Sequence, residues 1–243
     1  MYSGSVRPIV APFRVSSSRI YLDRWVQAAA ASVPRESLVL DAGAGEAPYA
    51  RWFAQHRYES ADFTQVEKPY SRELTYVCDL TAIPVEDARF DLVVMTQVLE
   101  HIPEPVRVLA EMRRVLKPGA EIWFSAPLFY EEHEQPYDFF RYTKFAHRRQ
   151  CDTAGLAVVS IDWLEGYFGT LAYQLQMAGS QLPTTASAYG AGRRGQLAAL
   201  TARVGRRGAR RLAQTFDGLD QRVKVTDAGM PKNYAVRAKR PLS

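Results

Sequence analysis

Asp41, Gly43 and Gly45 end the apolar run Leu38-Val39-Leu40 in a pattern that can grip a cationic or hydroxyl-rich ligand. A carboxylate accepts charge-assisted hydrogen bonds from such a ligand, and a glycine opens backbone that a side chain would shield. Ligands of open α/β sheets bind at the carboxyl ends of strands, so a strand breaking into glycines is where an adenosine-bearing cofactor would lie. The dinucleotide fingerprint asks for a third glycine three residues after the second, and Pro48 stands there, which argues against NAD or FAD. S-adenosylmethionine (SAM), with its sulfonium, ammonium and ribose, suits what remains. Asp62, about twenty residues beyond the glycines, is placed to accept both ribose hydroxyls.

A second set of reactive residues lies in Pro127-Leu128-Phe129-Tyr130-Glu131-Glu132-His133-Glu134-Gln135-Pro136-Tyr137-Asp138-Phe139-Phe140-Arg141-Tyr142-Thr143. Aromatic and ionisable side chains at this density read as an acceptor pocket. Methyl transfer from a sulfonium to an alcohol requires alignment and removal of a proton. His133 is the natural general base, having an ordinary pKa near 6.5, with Asp138 or Glu132 to orient it. The competing reading makes His133 a lid residue that bonds Asp138 and shapes the loop. Ligand chemistry allows a divalent ion on Glu132, His133 and Asp138, but no metal spacing is diagnostic and no metal is predicted.

Positioning these groups requires strands and helices in alternation, the pattern of a parallel sheet covered on both faces. A helix is expected over 17–32, strand one over 37–42, a helix over 47–56 and strand two over 57–62. Strand three is expected over 74–78 and a buried central strand over 90–96. Apolar residues at helical spacing predict a helix over 104–117, stopped by Lys117-Pro118-Gly119. Strand five follows over 120–126, a helix over 143–154 and strand six over 157–162. Residues 166–230 are too long for a loop and predict helices, including a basic amphipathic one over 196–216. The last strand is expected over 233–239.

The segment apolar-Asp41-x-Gly43-x-Gly45 resembles the first motif of the class I SAM-dependent methyltransferases. Over about residues 35–165 other motifs agree. Phe90-Asp91-Leu92-Val93-Val94-Met95-Thr96-Gln97-Val98-Leu99-Glu100-His101-Ile102 is similar to the fourth strand and following loop of the broad branch that methylates small molecules and sugars, where Leu-Glu-His recurs. Arg113-Arg114-Val115-Leu116-Lys117-Pro118-Gly119 and the string from His133 to Thr143 also look like that branch. The resemblance implies a Rossmann-like seven-stranded α/β sheet with a helical insertion between strands six and seven. It implies a single domain over 1–243, with a core over about 35–165, an acceptor cap over 166–230 and the last strand over 231–240. It also implies that Asp62 holds the ribose, Asp79 accepts from the adenine amino group, Leu80 flanks the ring, and Gln97 and Val98 line the methionine side. His101 could touch the acceptor, though fixing its loop is the commoner role.

The implied reaction is SAM-dependent O-methylation of a hydroxyl on a sugar, glycolipid or natural product, leaving S-adenosylhomocysteine (SAH). The alternatives are N-methylation of a small molecule and a SAM-binding scaffold without catalysis. Thr96-Gln97-Val98-Leu99 carries neither prolines nor a stacking ring, which speaks against methylating a flipped DNA base.

The 243 residues are 47% hydrophobic and 23% charged, enough for a sizeable core. Cys78 and Cys151 offer neither a disulfide framework nor a metal spacing. Pro8 and Pro12 break the apolar start, which argues against a signal peptide, and no apolar stretch reaches the roughly 18 residues that span a bilayer. The expected location is the cytoplasm, with peripheral contact to a membrane. The net charge of +5 is unevenly placed. Between Arg193 and Lys224, Arg194, Arg203, Arg206, Arg207, Arg210, Arg211 and Arg222 face only Asp217 and Asp220, which suits an anionic membrane surface or an ordinary solvated helix face.

Overall fold

In the computed structural model, residues 17–63 and 73–242 are described. The start that argued against a signal peptide lies outside them. The chain forms two compact units. One, Tyr21–Leu164 with Pro231–Ser243, holds the sheet; the other, Glu165–Met230 with the stretch up to Ile20, holds two helices.

The sheet unit contains most of α1 (Ser17–Ala31), then β1 (Leu38–Ala42), β2 (Arg57–Asp62), β3 (Tyr76–Val77), β4 (Phe90–Thr96), α2 (Pro105–Val115), β5 (Leu116–Pro127), α3 (Lys144–Thr153), β6 (Ala157–Trp163) and β7 (Asn233–Lys239). The strand order is β3-β2-β1-β4-β5-β7-β6. Strands β1 to β5 run parallel, and β7 enters antiparallel between β5 and β6. The sheet is therefore mixed, seven-stranded and Rossmann-like, as expected from the motifs.

Side-chain alternation divides the core. Leu38, Leu40, Val93, Met95, Ile122 and Phe124 pack on one face with Val108, Leu109 and Met112 of α2. Val39, Leu92, Val94 and Trp123 pack on the other with Leu22, Val26 and Ala29 of α1. Successive strand residues point to opposite faces, so a central strand covered on both sides must be apolar throughout. The 90–96 run satisfies this.

Three elements differ from expectation. Residues 47–56 form no α-helix, only a 3-10 turn over Ala50–Phe53, with bonds three residues apart such as Ala50 N to Ala47 O and Trp52 N to Tyr49 O. Ala47 precedes Pro48, which disfavours the α region, and adopts φ 50° instead. Strand three shrinks to Tyr76–Val77 because Thr75 and Ser60 exchange side-chain bonds in place of ladder bonds: Thr75 Oγ1 accepts from Ser60 N at 3.1 Å and Ser60 Oγ from Thr75 N at 3.2 Å. The turn expected at Lys117-Pro118-Gly119 lies inside β5, where Leu116 already pairs with Phe90 and the register shifts before Leu92.

The second unit contains α4 (Tyr167–Gln181), a 3-10 turn over Ala186–Tyr189 and α5 (Gly192–Asp220). Gly179 lets α4 approach α5 so closely that a Cβ there would lie 3.2 Å from Ala209 Cβ. Phe168 and Phe216 stack at 5.6 Å, and the Gly166 amide donates to buried Asp220 at 3.0 Å.

Candidate active site at the carboxyl ends of the strands

The chain leaves β1 through Gly43 (φ 74°) and Gly45 (φ 53°), conformations that other residues adopt only under strain. Different requirements operate at the two glycines. A Cβ on Gly43 would lie 2.3 Å from a methyl of Val98, whereas one on Gly45 would meet nothing within 4 Å. The expectation that a side chain at either position would hold off a ligand is thus corrected for Gly43, whose missing side chain makes room for Val98 of this chain. The open backbone is at Gly45.

Two carboxylates flank that opening. Asp62, at the end of β2, accepts from the Gly45 amide at 2.7 Å. Asp41 is buried at 3% exposure and accepts from the Tyr58 hydroxyl at 2.6 Å. Burial pushes its pKa up to about 6, with Asp62 adding to the rise and Tyr58 opposing it. Burial and a second carboxylate both act against the charge of Asp41, and open glycine backbone adjoins it. That combination fits SAM, which brings a cation and two ribose hydroxyls.

Asp79 is exposed, and its Oδ1 accepts from the amide and hydroxyl of Thr81, each at 2.8 Å, in a turn after β3. Leu80 is 4% exposed inside the main core; it braces that turn from below and offers almost no open face. Gln97 takes φ 56° directly after β4 and donates through Nε2 to Ser125 Oγ at 3.0 Å. The bond ties the end of β4 to that of β5.

The loop after β5 is anchored by its second half. Arg141 binds both Asp138 oxygens at 2.6 and 2.7 Å and the carbonyls of Tyr130 and Glu131 at 3.1 and 2.8 Å. This guanidinium holds the Asp138 carboxyl down at about 2. The Glu100 carbonyl accepts from the amides of Phe139 and Phe140, and the Tyr142 hydroxyl donates to Leu99 O at 2.8 Å.

These anchors bring His101 and His133 together, their rings 4.6 Å apart edge to face. Asp138 accepts from the His133 amide at 2.8 Å and has Oδ2 3.4 Å from His133 Nδ1. Asp138 is therefore the carboxylate that positions His133, while Glu132 is exposed. Burial and the nearby His101 ring lower the His133 pKa, so the ring is neutral at pH 7 and retains a lone pair. His147, by contrast, is buried among Phe124, Tyr142 and Tyr234, where burial lowers its pKa to about 4. It is a core residue.

No sequence-based role was given to Glu100, yet it sits in this cluster. Its side chain is fully buried, 3.9 Å from His101 Nε2, and neither oxygen meets a hydrogen-bond donor of another residue. Burial pushes its pKa up to about 8. A lone carboxylate among Val98, Leu99 and Ile102 was the available signal, masked by the familiarity of Leu-Glu-His. The proposed metal trio of Glu132, His133 and Asp138 is not the one the fold gathers. Among the described residues Glu100, His101 and His133 present ligand atoms within 4.8 Å of one another.

Residues 40–124 match the family model described as a methyltransferase domain. A ubiquinone biosynthesis O-methyltransferase of Coxiella burnetii is 30% identical over 98 residues, covering 36% of this chain; the chain spans 42% of that relative's length. An S-adenosylmethionine-dependent methyltransferase from Mesorhizobium loti superposes with TM-score 0.51 at 15% identity, over 93% of this chain and 98% of the other. A Haemonchus contortus phosphoethanolamine N-methyltransferase in complex with S-adenosyl-L-methionine gives TM-score 0.53 at 14% identity, over 92% and 52%. The two structural likenesses describe the fold, and the family match runs from within β1 through most of β5, including Asp41, both glycines, Asp62 and the Leu99-Glu100-His101 turn. Residues 40–124 thus resemble a methyltransferase domain, and the chain has the fold of the S-adenosylmethionine-dependent methyltransferases.

Proposed function

We propose that the protein methylates a hydroxyl of a small ring-bearing acceptor, a sugar, glycolipid or natural product, at the expense of SAM. The observation that carries this reading is the carboxylate pair Asp41 and Asp62 beside open backbone at Gly45. Bound there, SAM supplies an electrophilic methyl on a sulfonium. Asp62 accepts the ribose hydroxyls, Asp41 supplies negative charge, and Asp79 meets the adenine edge. On the acceptor side the lone pair of His133, steadied by Asp138, can take a hydroxyl proton. Exposed Tyr130, Tyr137, Phe139 and Phe140 suit a ring-bearing acceptor. The Coxiella burnetii relative, named for ubiquinone biosynthesis, favours a second reading with a phenolic acceptor. Titration calorimetry with SAH tests the common core: binding is expected, and absence of heat and of thermal stabilisation overturns it.

The expected acceptor cap contributes a surface of its own. Small residues Ala199, Ala202 and Ala213 fill the buried side of α5, whereas Leu197, Leu200, Val204 and Leu212 are each more than half exposed. Arg193, Arg194, Arg207 and Arg211 are exposed on the same helix. We infer that this face meets anionic lipid, which would bring the enzyme to a lipid-linked acceptor. Co-sedimentation should show salt-sensitive binding to anionic but not neutral vesicles, weakened when those four arginines become Gln. Equal binding by the variant removes the lipid role.

A further inference from the structure

We propose that Glu100, His101 and His133 bind a divalent first-row transition cation that in turn holds the acceptor's oxygen; this rests on the acceptor side assigned above. Three observations converge. One ligand atom from each residue lies within 4.8 Å of the others. Metal bonds of about 2.0–2.2 Å place neighbouring ligand atoms roughly 3.3–4.2 Å apart, so modest side-chain rotation completes the contraction.

The Glu100 carboxylate is fully buried and meets no donor of another residue. A buried carboxylate without a partner is costly, and a cation removes the cost. Each imidazole also has its Nδ1 beside a backbone carbonyl. His101 Nδ1 lies 2.6 Å from the Tyr137 carbonyl, and His133 Nδ1 lies 3.2 Å from the Glu131 carbonyl. A carbonyl cannot donate, so each Nδ1 carries the hydrogen and each Nε2 presents its lone pair. Metal-binding histidines are held in this way, and Asp138 beside His133 Nδ1 supplies the carboxylate partner that raises ligand basicity.

Two imidazoles and one carboxylate suit Zn²⁺, Mn²⁺, Fe²⁺ or Co²⁺ better than Mg²⁺ or Ca²⁺, which favour oxygen-rich sites. Glu134 Oε2, 3.9 Å from His101 Nε2, adds a second carboxylate at the rim. His133 keeps 29% exposure, so coordination positions face outward for an acceptor. A hydroxyl ligated there becomes more acidic. Its proton passes to water and the O–H electron pair stays on oxygen; with the cation bound His133 serves as a ligand, and without it as the base assigned above.

The test uses the full chain freed of metal with a chelator, then titrated with Mn²⁺, Zn²⁺ and Co²⁺ by calorimetry and, for Co²⁺, by visible absorption. One equivalent should bind, and Glu100→Gln and His133→Ala should each weaken binding about 100-fold or more, as loss of a ligand must exceed the 10–100-fold cost of losing an outer-shell partner. His56→Ala should bind as the parent does. SAH affinity, measured on every variant, reports an intact fold and cofactor side. If SAH binds but no cation does, or if both ligand variants bind cation like the parent, the cation site is refuted while methyl transfer through His133 stands. If SAH fails to bind to the parent protein, the methyltransferase reading itself has failed.

Discussion

The proposed cofactor side and the proposed acceptor side of the sheet unit are built from different materials. At the ends of β1 and β2 backbone geometry sets the place of two carboxylates: Asp62 accepts from the Gly45 amide, Gly45 is left open, and Gly43 is vacated for Val98. Beyond β5 they are side chains, with Arg141 gripping Asp138 and two carbonyls and Tyr142 reaching Leu99. A backbone site is fixed once strand register and a few positive φ angles are set. A side-chain site depends on partners that may lie anywhere in the chain, so it can be altered piecemeal without disturbing the ladder.

Five substitutions put that contrast at risk. His133→Ala should lower turnover by about 10²- to 10⁴-fold with unchanged SAH affinity; near-normal turnover with a true acceptor would detach His133 from the chemistry. Gly43→Ala should destabilise the fold by about 3 kcal/mol, since positive φ and the Val98 contact both oppose a Cβ. Its neighbour Gly45→Ala should cost only about 1 kcal/mol in stability and lose SAH affinity. Equal denaturation midpoints for the two variants would erase the distinction between a packing glycine and a ligand glycine.

Asp62→Ala should weaken SAH binding by about 2–3 kcal/mol through lost charge-assisted bonds; calorimetry showing parental affinity would remove Asp62 from the site. The last effect concerns the pH dependence set by Asp41. Its folded pKa stands raised to about 6 from 3.8, so the folded state favours the protonated acid. The associated stability is fully present below pH 3.8 and lost as pH rises through 6. Relative to Asp41→Asn, the parent should therefore lose up to about 2 kcal/mol between pH 4 and 7. Parallel stability curves would show that Asp41 ionises without cost.

The same contrast explains what could be read from the sequence. Alternation and apolar runs identify β1, β4, α2 and the β1 glycines because these are local consequences of burial and backbone geometry. The 47–56 segment misleads because Tyr49, Trp52 and Phe53 mimic a helical face, whereas the residue before Pro48 turns the chain left-handed. The short β3 depends on Ser60 and Thr75 exchanging bonds across 15 positions, which no window reveals. His133 and Asp138, five residues apart, are legible as a pair. Glu100 is not, because its environment is assembled by residues about 40 positions later whose backbone amides bond its carbonyl.

Leu164 donates its amide to the carbonyl of Asn233 at 3.0 Å, so the chain departs from the sheet and rejoins it at hydrogen-bonded neighbours. Everything between is, to the sheet, a closed excursion. Because closure entropy grows only logarithmically with length, β6 and β7 can pair around excursions of very different size. The segment can therefore change in length while the strands keep their register.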